Sequence, residues 1–477
     1  MALPATTRGF RIEPLHGVQV AETQPSKRRA STMDLPTTLP SPTAARRLKL
    51  WLITVGEPLP IAAGENPRLL RTGRLARCLT DRGHDVLWWT SAFDHFAKRH
   101  HRPTDASFEW EGGRLRLLKS TGYRSNVSIR RFIEHAGVAR KFAREARQLP
   151  PPDVILVSLP TIELAHAAVE YGRATGVPVL VDIRDLWPDI MIDVLPPRWR
   201  WLSRLLLSSQ VRRAQEAMAR CDALVAVSEG YLQWGLRYAG RAQRPLDATI
   251  PLGYVAPEAR RPADEVGQQL VRLGVRQDVA LCWYVGTFGR QYDLGPVIDA
   301  ARVFQNAGRS DVQFVISGEG ELGPRWHAQA AGLRNLVFTG WIGADEINWL
   351  RGHVAIGLQP YVRGAPQGLA NKLFEYLSAG LPVVSSLAGE NELLIQQHHC
   401  GLTYRAGDAA DCHRQLSTLL DDAALRQRMG AEGRRLFETQ FNATSVFERL
   451  MKHLETVAAS RAVPAAEGTA PEGESAP

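Results

Sequence analysis

Two successive series of short apolar runs alternate with longer helix-like segments, and this alternation limits the possible folds more than any other feature of the chain. Strand, helix and strand repeating in that order is the unit of a parallel sheet with helices on its faces. The first series opens with Leu48-Lys-Leu-Trp-Leu-Ile-Thr-Val55, a loop holding Gly56 and Gly64, and a helix for which Asn66 is the cap and Pro67 the first residue. It continues with strands expected at residues 85–90, 153–158, 177–183 and 222–228. A second series starts after Gly253, with strands expected at 279–285, 312–317, 335–339, 354–358 and 382–385. The expected fold class is α/β, as two Rossmann-like doubly wound domains facing a cleft, with ligands beyond the carboxyl ends of the strands.

A chain of 477 residues exceeds what one hydrophobic core supports, which agrees with two domains. The expected boundaries are a disordered tail over 1–46, a first domain over 47–250, a second over 251–440, a C-terminal helix over 441–459 and a disordered tail over 460–477. Pro251, Gly253, Pro257 and Pro262 mark 247–276 as the linker. Five scattered cysteines, with no C-x-x-C pair, point to neither a disulfide framework nor a zinc site, and a reducing cytoplasm fits. No run of 18 apolar residues is present, so the expectation is a protein that does not span a membrane. The net charge of +9 implies an acidic partner. Without zinc-finger spacing or an RNA-binding aromatic signature, nucleic acid is not the expected one.

The most informative stretch is Gln367-Gly-Leu-Ala-Asn-Lys-Leu-Phe-Glu-Tyr-Leu-Ser-Ala-Gly-Leu-Pro382, which reads as a short helix ended by Gly380 and followed by a strand. Leu369, Leu373 and Leu377 form a stripe at four-residue spacing, placing Lys372, Glu375 and Tyr376 off it at the mouth of the cleft. Gly368 and the first-turn amides suit phosphate oxygens, Lys372 adds a cation, and Glu375 suits ribose hydroxyls. The competing reading is an ordinary surface ion pair between Lys372 and Glu375.

This segment resembles the donor-binding segment of glycosyltransferase family 4, and the resemblance, over roughly residues 48–455, includes Tyr284-Val-Gly-Thr-Phe-Gly-Arg290, Ile316-Ser-Gly-Glu-Gly320 and Val337-Phe-Thr-Gly-Trp341. It implies the GT-B fold, a metal-independent retaining glycosyltransferase without a cofactor, and a UDP-sugar donor, N-acetylated, with Glu375 on the ribose. The family's Glu-x7-Glu pattern puts its first glutamate at Gln367, an amide that still hydrogen-bonds sugar hydroxyls but carries no charge. Where many members have Arg and Lys on the diphosphate, this chain has Thr287 and Tyr292, which leaves Lys372, Arg290 and the amides near Gly286, Gly318 and Leu369 for that role. Gly56-Glu-Pro-Leu-Pro60, Gly64-Glu-Asn-Pro-Arg68 and Arg184-Asp-Leu-Trp-Pro188 are similar to the branch containing O-antigen fucosaminyltransferases. That branch implies surface-polysaccharide synthesis and a lipid-linked acceptor at the inner membrane, with Gly56, Gly64 and Asn66 on the acceptor side.

Gly318-Glu-Gly-Glu-Leu-Gly323 matches G-x-G-x-x-G, but the next strand lacks the acid that grips an adenine ribose, so these glycines read as a tight turn near the nucleotide. Arg184 and Asp185 end a first-domain strand; they read either as a phosphate partner and a base for the acceptor hydroxyl, or as a buried pair fixing the loop. His95, His100 and His101 read as a solvated surface cluster. Arg198-Trp-Arg-Trp-Leu-Ser-Arg-Leu-Leu-Leu207 reads either as an interfacial helix or as one with Trp199, Leu202 and Leu206 in the core. Two rival functions are a UDP-N-acetylglucosamine 2-epimerase-like enzyme and an inactive scaffold of a polysaccharide assembly complex.

Overall fold

The computed structural model describes residues 46–61, 69–125, 128–192, 200–256, 258–365 and 368–460. Gly64, Asn66, Gln367, Trp199 and all but the inner ends of the two expected tails lie outside the described residues.

Ten strands belong to the first half: β1 (Lys49–Ile53), β2 (Asp85–Ser91), β3 (Phe93–Asp94), β4 (Arg99–His100), β5 (Ala106–Trp110), β6 (Gly113–Leu118), β7 (Val154–Leu159), β8 (Val179–Ile183), β9 (Ala223–Ala226) and β10 (Ala248–Thr249). Eight form one sheet in the order β10-β9-β8-β7-β1-β2-β6-β5, parallel except for β5, while β3 and β4 make a separate small hairpin. The second half has β11 (Ala280–Val285), β12 (Val312–Ser317), β13 (Leu336–Gly340), β14 (Ile356–Gln359), β15 (Val383–Ser385) and β16 (Gly401–Thr403), ordered β13-β12-β11-β14-β15-β16 and all parallel. Two parallel α/β sheets are the architecture expected from the alternation. The hairpin β3–β4 and the strands β5, β6, β10 and β16 were missed, because two- or three-residue strands and strands with charged residues at alternate positions give no continuous apolar run.

Central strands are apolar throughout because helices cover both faces. In the first half Trp51 packs against Trp89 and Tyr171 with ring centres 5.4 and 5.2 Å apart. The opposite face is closed by the last helix, Ala443–Ser460, whose Val446, Leu450, Leu454 and Val457 are buried against Leu50, Leu52 and Leu79. Each such side chain contributes about 1.5–3 kcal/mol by leaving water, so the C-terminal helix belongs energetically to the first half.

The chain therefore crosses between halves twice, and the crossings touch: Tyr254 N–H donates to Phe441 C=O at 2.8 Å and Ala443 N–H to Tyr254 C=O at 3.1 Å. Gly253, at φ +76°, is needed there, because a Cβ would press on Ala443 Cα at 3.1 Å. The expected linker over 247–276 is shorter than read: Ala263–Arg272 is a helix whose Val266 and Leu270 are buried in the core that contains Trp283. Its prolines lie before the helix, not within it.

Candidate active site

Carboxyl ends of β1, β7 and β8 open onto a cavity of about 580 Å³, lined by Gly56, Thr161, Arg184 and Asp185 from the first half and by Asn371 from the second. Such strand ends are where open α/β sheets bind ligands.

Arg184 lines this cavity, but its guanidinium is already paired with two carboxylates. Its Nε donates to Asp182 at 2.7 Å and its Nη1 to Glu57, while Asp182, fully buried, also pairs with Arg71 at 3.1 Å. Burial alone would push the Asp182 carboxyl up, but Arg71 and Arg184 hold it below the ordinary carboxylate range. Glu57 additionally accepts from Thr72 N–H at 3.0 Å, at the start of the Arg71–Asp81 helix. Two arginines and two carboxylates form a neutral frame, which corrects the reading of an Arg184–Asp185 pair: the partners of Arg184 are Asp182, two residues earlier, and Glu57. Asp185 remains on the cavity wall, its Oδ1 accepting from Leu186 N–H at 2.9 Å and its carboxyl pushed up by burial.

The histidines are also corrected. His95 lines the cavity and its Nδ1 lies 2.6 Å from the Tyr123 hydroxyl; His100 Nε2 lies 3.0 Å from Ser120 C=O; His101 sits 3.6 Å from Asp94. None belongs to a solvated cluster. Reading the sequence missed His135, which is 2% exposed and lines the cavity, and which burial, Arg131 and His95 together lower to about 3, so that it is neutral. Arg131 and His135 are four apart on the Ile129–Ala146 helix and share a face; that spacing was the available signal.

On the second half, the helix Asn371–Ser378 ends in a Schellman motif: Gly380, at φ +71°, donates to Leu377 C=O at 3.0 Å and Leu381 N–H reaches Tyr376 C=O at 3.0 Å. Leu373 and Leu377 are fully buried, but Leu369 and Gly368 precede the helix, so Gly368 is not part of its first turn. Tyr376 is a further correction. It is fully buried, its hydroxyl accepts from Val285 N–H at 3.3 Å and donates to Leu358 C=O at 3.1 Å, and its ring occupies the space a Cβ on Gly357 would need. It ties β11 to β14.

Lys372 and Glu375 do not pair with each other. Glu375 Oε1 lies 3.0 Å from Arg351 Nε, and Oε2 accepts from the Tyr254 hydroxyl at the crossing between halves. Lys372 Nζ lies 3.9 Å from the centre of the Tyr292 ring and 5.2 Å from that of Tyr284, within cation–π range. Burial lowers its pKa against the opposing pull of Tyr292. A Cβ on Gly286 would overlap the Lys372 ammonium, so the lysine lies across the turn after β11. Tyr292, which stands where the resemblance expects a cation, thus holds the one on Lys372.

The Arg290 side chain is 80% exposed and pairs with Glu321 at 2.6 Å, and Thr287 is exposed, its C=O accepting from the Tyr284 hydroxyl at 2.8 Å. The glycines of 318–323 serve close loop packing: a Cβ on Gly318 would overlap the Gly286 carbonyl and one on Gly320 the Phe288 backbone, while Phe288 N–H donates to Glu319 C=O at 2.8 Å. Among the described residues, no group of three or more His, Cys, Asp or Glu is arranged to hold a metal ion.

Comparison with known proteins accounts for both halves. Residues 71–247 match the family described as Glycosyltransferase Family 4, and residues 280–422 match Glycosyl transferases group 1. A curated relative, the sulfoquinovosyl transferase SQD2 of Arabidopsis thaliana, is 32% identical over 101 residues, a stretch spanning 20% of this chain and only 19% of that protein. Among solved structures, sucrose-phosphate synthase of Thermosynechococcus elongatus superposes with a TM-score of 0.61 at 16% identity, covering 87% of this chain and all of that one. HepE of Anabaena in complex with UDP gives 0.58 at 16% identity, over 86% of this chain and 100% of its own. The E. coli structure titled trehalose-6-phosphate bound with UDP-2-fluoro glucose gives 0.58 at 13%, over 85% and 99%. With a family 4 segment on the first sheet, a group 1 segment on the second and the cleft between them, the chain is a glycosyltransferase of the GT-B fold.

Proposed function

We propose that the chain transfers a sugar from a UDP-sugar to an acceptor seated in the first-half cavity, with retention of configuration. The observation that carries this reading is a first-half carboxyl, Asp185, on the wall of a cavity that also takes in Asn371 of the second half, whose neighbour in sequence, Lys372, holds a caged ammonium. The ammonium and the backbone amides near Gly286 and Gly368 receive the diphosphate, and Glu375 receives the ribose. Asp185, facing the cavity, orients the acceptor hydroxyl, and the leaving phosphate takes its proton. HepE, bound to UDP in its structure title, and the E. coli enzyme, bound to a UDP-sugar analogue, support the choice of base. A thermal-shift screen against UDP-, GDP- and dTDP-sugars tests it, since a bound ligand stabilises in proportion to its affinity. Stabilisation by UDP-sugars alone is expected; stabilisation by GDP- or dTDP-sugars alone refutes the base.

The reading extends to an N-acetylated sugar and a lipid-linked acceptor in bacterial surface-polysaccharide synthesis, following the resemblance to the fucosaminyltransferase branch. Trp201, Leu205 and Leu206 on the helix Arg200–Leu206 are 62%, 63% and 70% exposed, which favours the interfacial reading of that segment over the core one. Among the described residues no helix is long and apolar enough to cross a membrane. Flotation with anionic liposomes at low salt, lost in Trp201→Ser/Leu205→Ser, is the expected result; recovery in the unbound fraction throughout removes the membrane claim alone.

A further inference from the structure

His135 and Glu163 face each other between two packed helices of the first half. His135 lies on the Ile129–Ala146 helix and Glu163 in the first turn of the Ile162–Thr175 helix, and both are buried. His135 Nδ1 and Glu163 Oε2 are 3.9 Å apart, too far for a hydrogen bond. Both atoms are shut off from solvent, and among the described residues neither makes a hydrogen bond. Glu163 Oε1, by contrast, accepts from Gln210 Nε2 at 2.7 Å. Buried polar groups are hydrogen-bonded as a rule, so an unmet pair beside a cavity calls for a reason.

His135 also lines the 580 Å³ cavity. Because its Nδ1 is buried towards Glu163, the opposite ring edge, with Nε2, is the one at the cavity wall. Burial raises the Glu163 carboxyl, while its own backbone N–H, the Gln210 amide and Arg213 act to keep it ionised, as does its place at a helix N-terminus. An ionised Oε2 can only accept, which puts the ring proton on Nδ1 and leaves Nε2 with a lone pair. Arg131 on the same helix and His95 from the turn between β3 and β4 add to burial in keeping the imidazole uncharged. Such a ring is too weak a base to take a proton from an alcohol, but it accepts a hydrogen bond from one. The long contact to Glu163 has the geometry of catalytic hydrogen bonds that tighten only once a ligand is bound.

We propose that Glu163 holds the proton on His135 Nδ1, so that Nε2 reads a sugar hydroxyl in the cavity as a hydrogen-bond acceptor. The proposal rests on the reading of this cavity as the site of sugar transfer. His135 is thereby a specificity residue, and Glu163, oriented by Gln210, a positioning residue. A lone pair fixed at the cavity wall selects for a hydroxyl at that spot, since a ligand lacking one leaves the nitrogen unmet. Asp185 keeps the nucleophilic hydroxyl, so His135 reads another one, on the acceptor or on the donor sugar.

Nitrogen NMR of the full chain labelled at histidine reads the tautomer directly, with His135 assigned by its loss in His135→Gln. Wild type should carry the proton on Nδ1 at neutral pH. Glu163→Gln, whose amide can donate to Nδ1 from the same place, should move it to Nε2 with native circular dichroism. A wild-type proton on Nε2, or a tautomer unchanged in Glu163→Gln, overturns the proposal. Calorimetry with UDP, UDP-glucose and UDP-N-acetylglucosamine, and with free glucose and N-acetylglucosamine added to the UDP-loaded chain, reads the ligand. His135→Leu and Glu163→Gln should each lose at least fivefold in the affinity that the sugar adds, with the Kd of UDP itself within twofold. His135→Gln, which keeps an acceptor near the Nε2 position, should lose less. Loss with the UDP-sugars places the hydroxyl on the donor, and loss with the free sugars places it on the acceptor. Sugar affinity unchanged in His135→Leu overturns the hydroxyl role and reduces the pair to a tie between helices. The wild-type tautomer and His135→Leu keep the test if Glu163→Gln does not fold. If UDP fails to bind, the donor reading falls separately, and the tautomer and the free-sugar titration still decide His135.

Discussion

Replacing Lys372 by Met removes the ammonium while keeping most of the chain length, and the structure sets opposite expectations for stability and for donor binding. In the free protein the ammonium is desolvated, with only tyrosine rings and a tyrosine hydroxyl as compensation. Cation–π contact at such a site is worth about 1–2 kcal/mol, a sum that desolvation largely offsets, so the variant should melt within a few degrees of wild type. Donor binding should suffer far more. A charged hydrogen bond to a phosphate oxygen contributes about 1.5–3 kcal/mol, which corresponds to about 10- to 150-fold in the Kd of UDP. The pH dependence has a definite sign. Because burial lowers the folded-state pKa below that of the unfolded chain, the unfolded state binds the proton more tightly, and stability rises with pH between the two values. UDP affinity does the reverse, falling as pH rises through the lowered pKa. Calorimetric Kd values and melting curves between pH 7 and about 10.4, the ordinary lysine value, test both signs. A Kd within threefold of wild type refutes the diphosphate role, and a collapse in melting temperature assigns Lys372 to the fold instead.

Glu375→Gln should weaken UDP binding by about 1.5–3 kcal/mol while circular dichroism stays native, with a lower melting temperature because Arg351 loses its carboxylate partner; unchanged Kd refutes the ribose assignment. Asp185→Asn should lower kcat and leave the UDP Kd alone; since burial raises the Asp185 pKa, wild-type activity should fall off on the acid side above the ordinary carboxylate range, and an acid limb at or below that range refutes its role. Transfer should survive EDTA and gain nothing from manganese, because in the proposed site Lys372 and backbone amides take the diphosphate's charge; activity restored only by manganese refutes this. Glu390 Oε1 accepts from Glu229 N–H at 3.0 Å, joining the second half to the first, so Glu390→Ala should loosen the interlobe contact and raise hydrogen exchange at residues 229–232 before the global transition; unchanged exchange there refutes it.

Period in the sequence was enough to determine two parallel α/β sheets, because a strand buried on both faces must be apolar along its whole length; helix starts were less legible, since the helix read as capped by Asn66 begins at Arg71 after Leu70, with no side-chain cap. Lys372 and Glu375 were legible for the same local reason, as polar positions beside a leucine stripe that ends at Gly380. What each of them touches was not. Glu375 meets Arg351 and Tyr254, 24 and 121 residues away in the chain, and Lys372 meets Tyr292 and Tyr284. Tyr376 was read as facing the cleft, since a helix of eight residues has no periodicity long enough to separate a wide buried face from a narrow stripe. The same limit explains Arg184, whose neighbour in sequence is Asp185 but whose partners are Asp182, on the same strand, and Glu57, brought in by the loop after β1. The His135–Glu163 pair needed two helices, separated in the chain by a strand, to pack side by side. Charge pairing and cavity lining depend on which distant segments meet, and side-chain periodicity carries information only about which face of its own element a residue occupies.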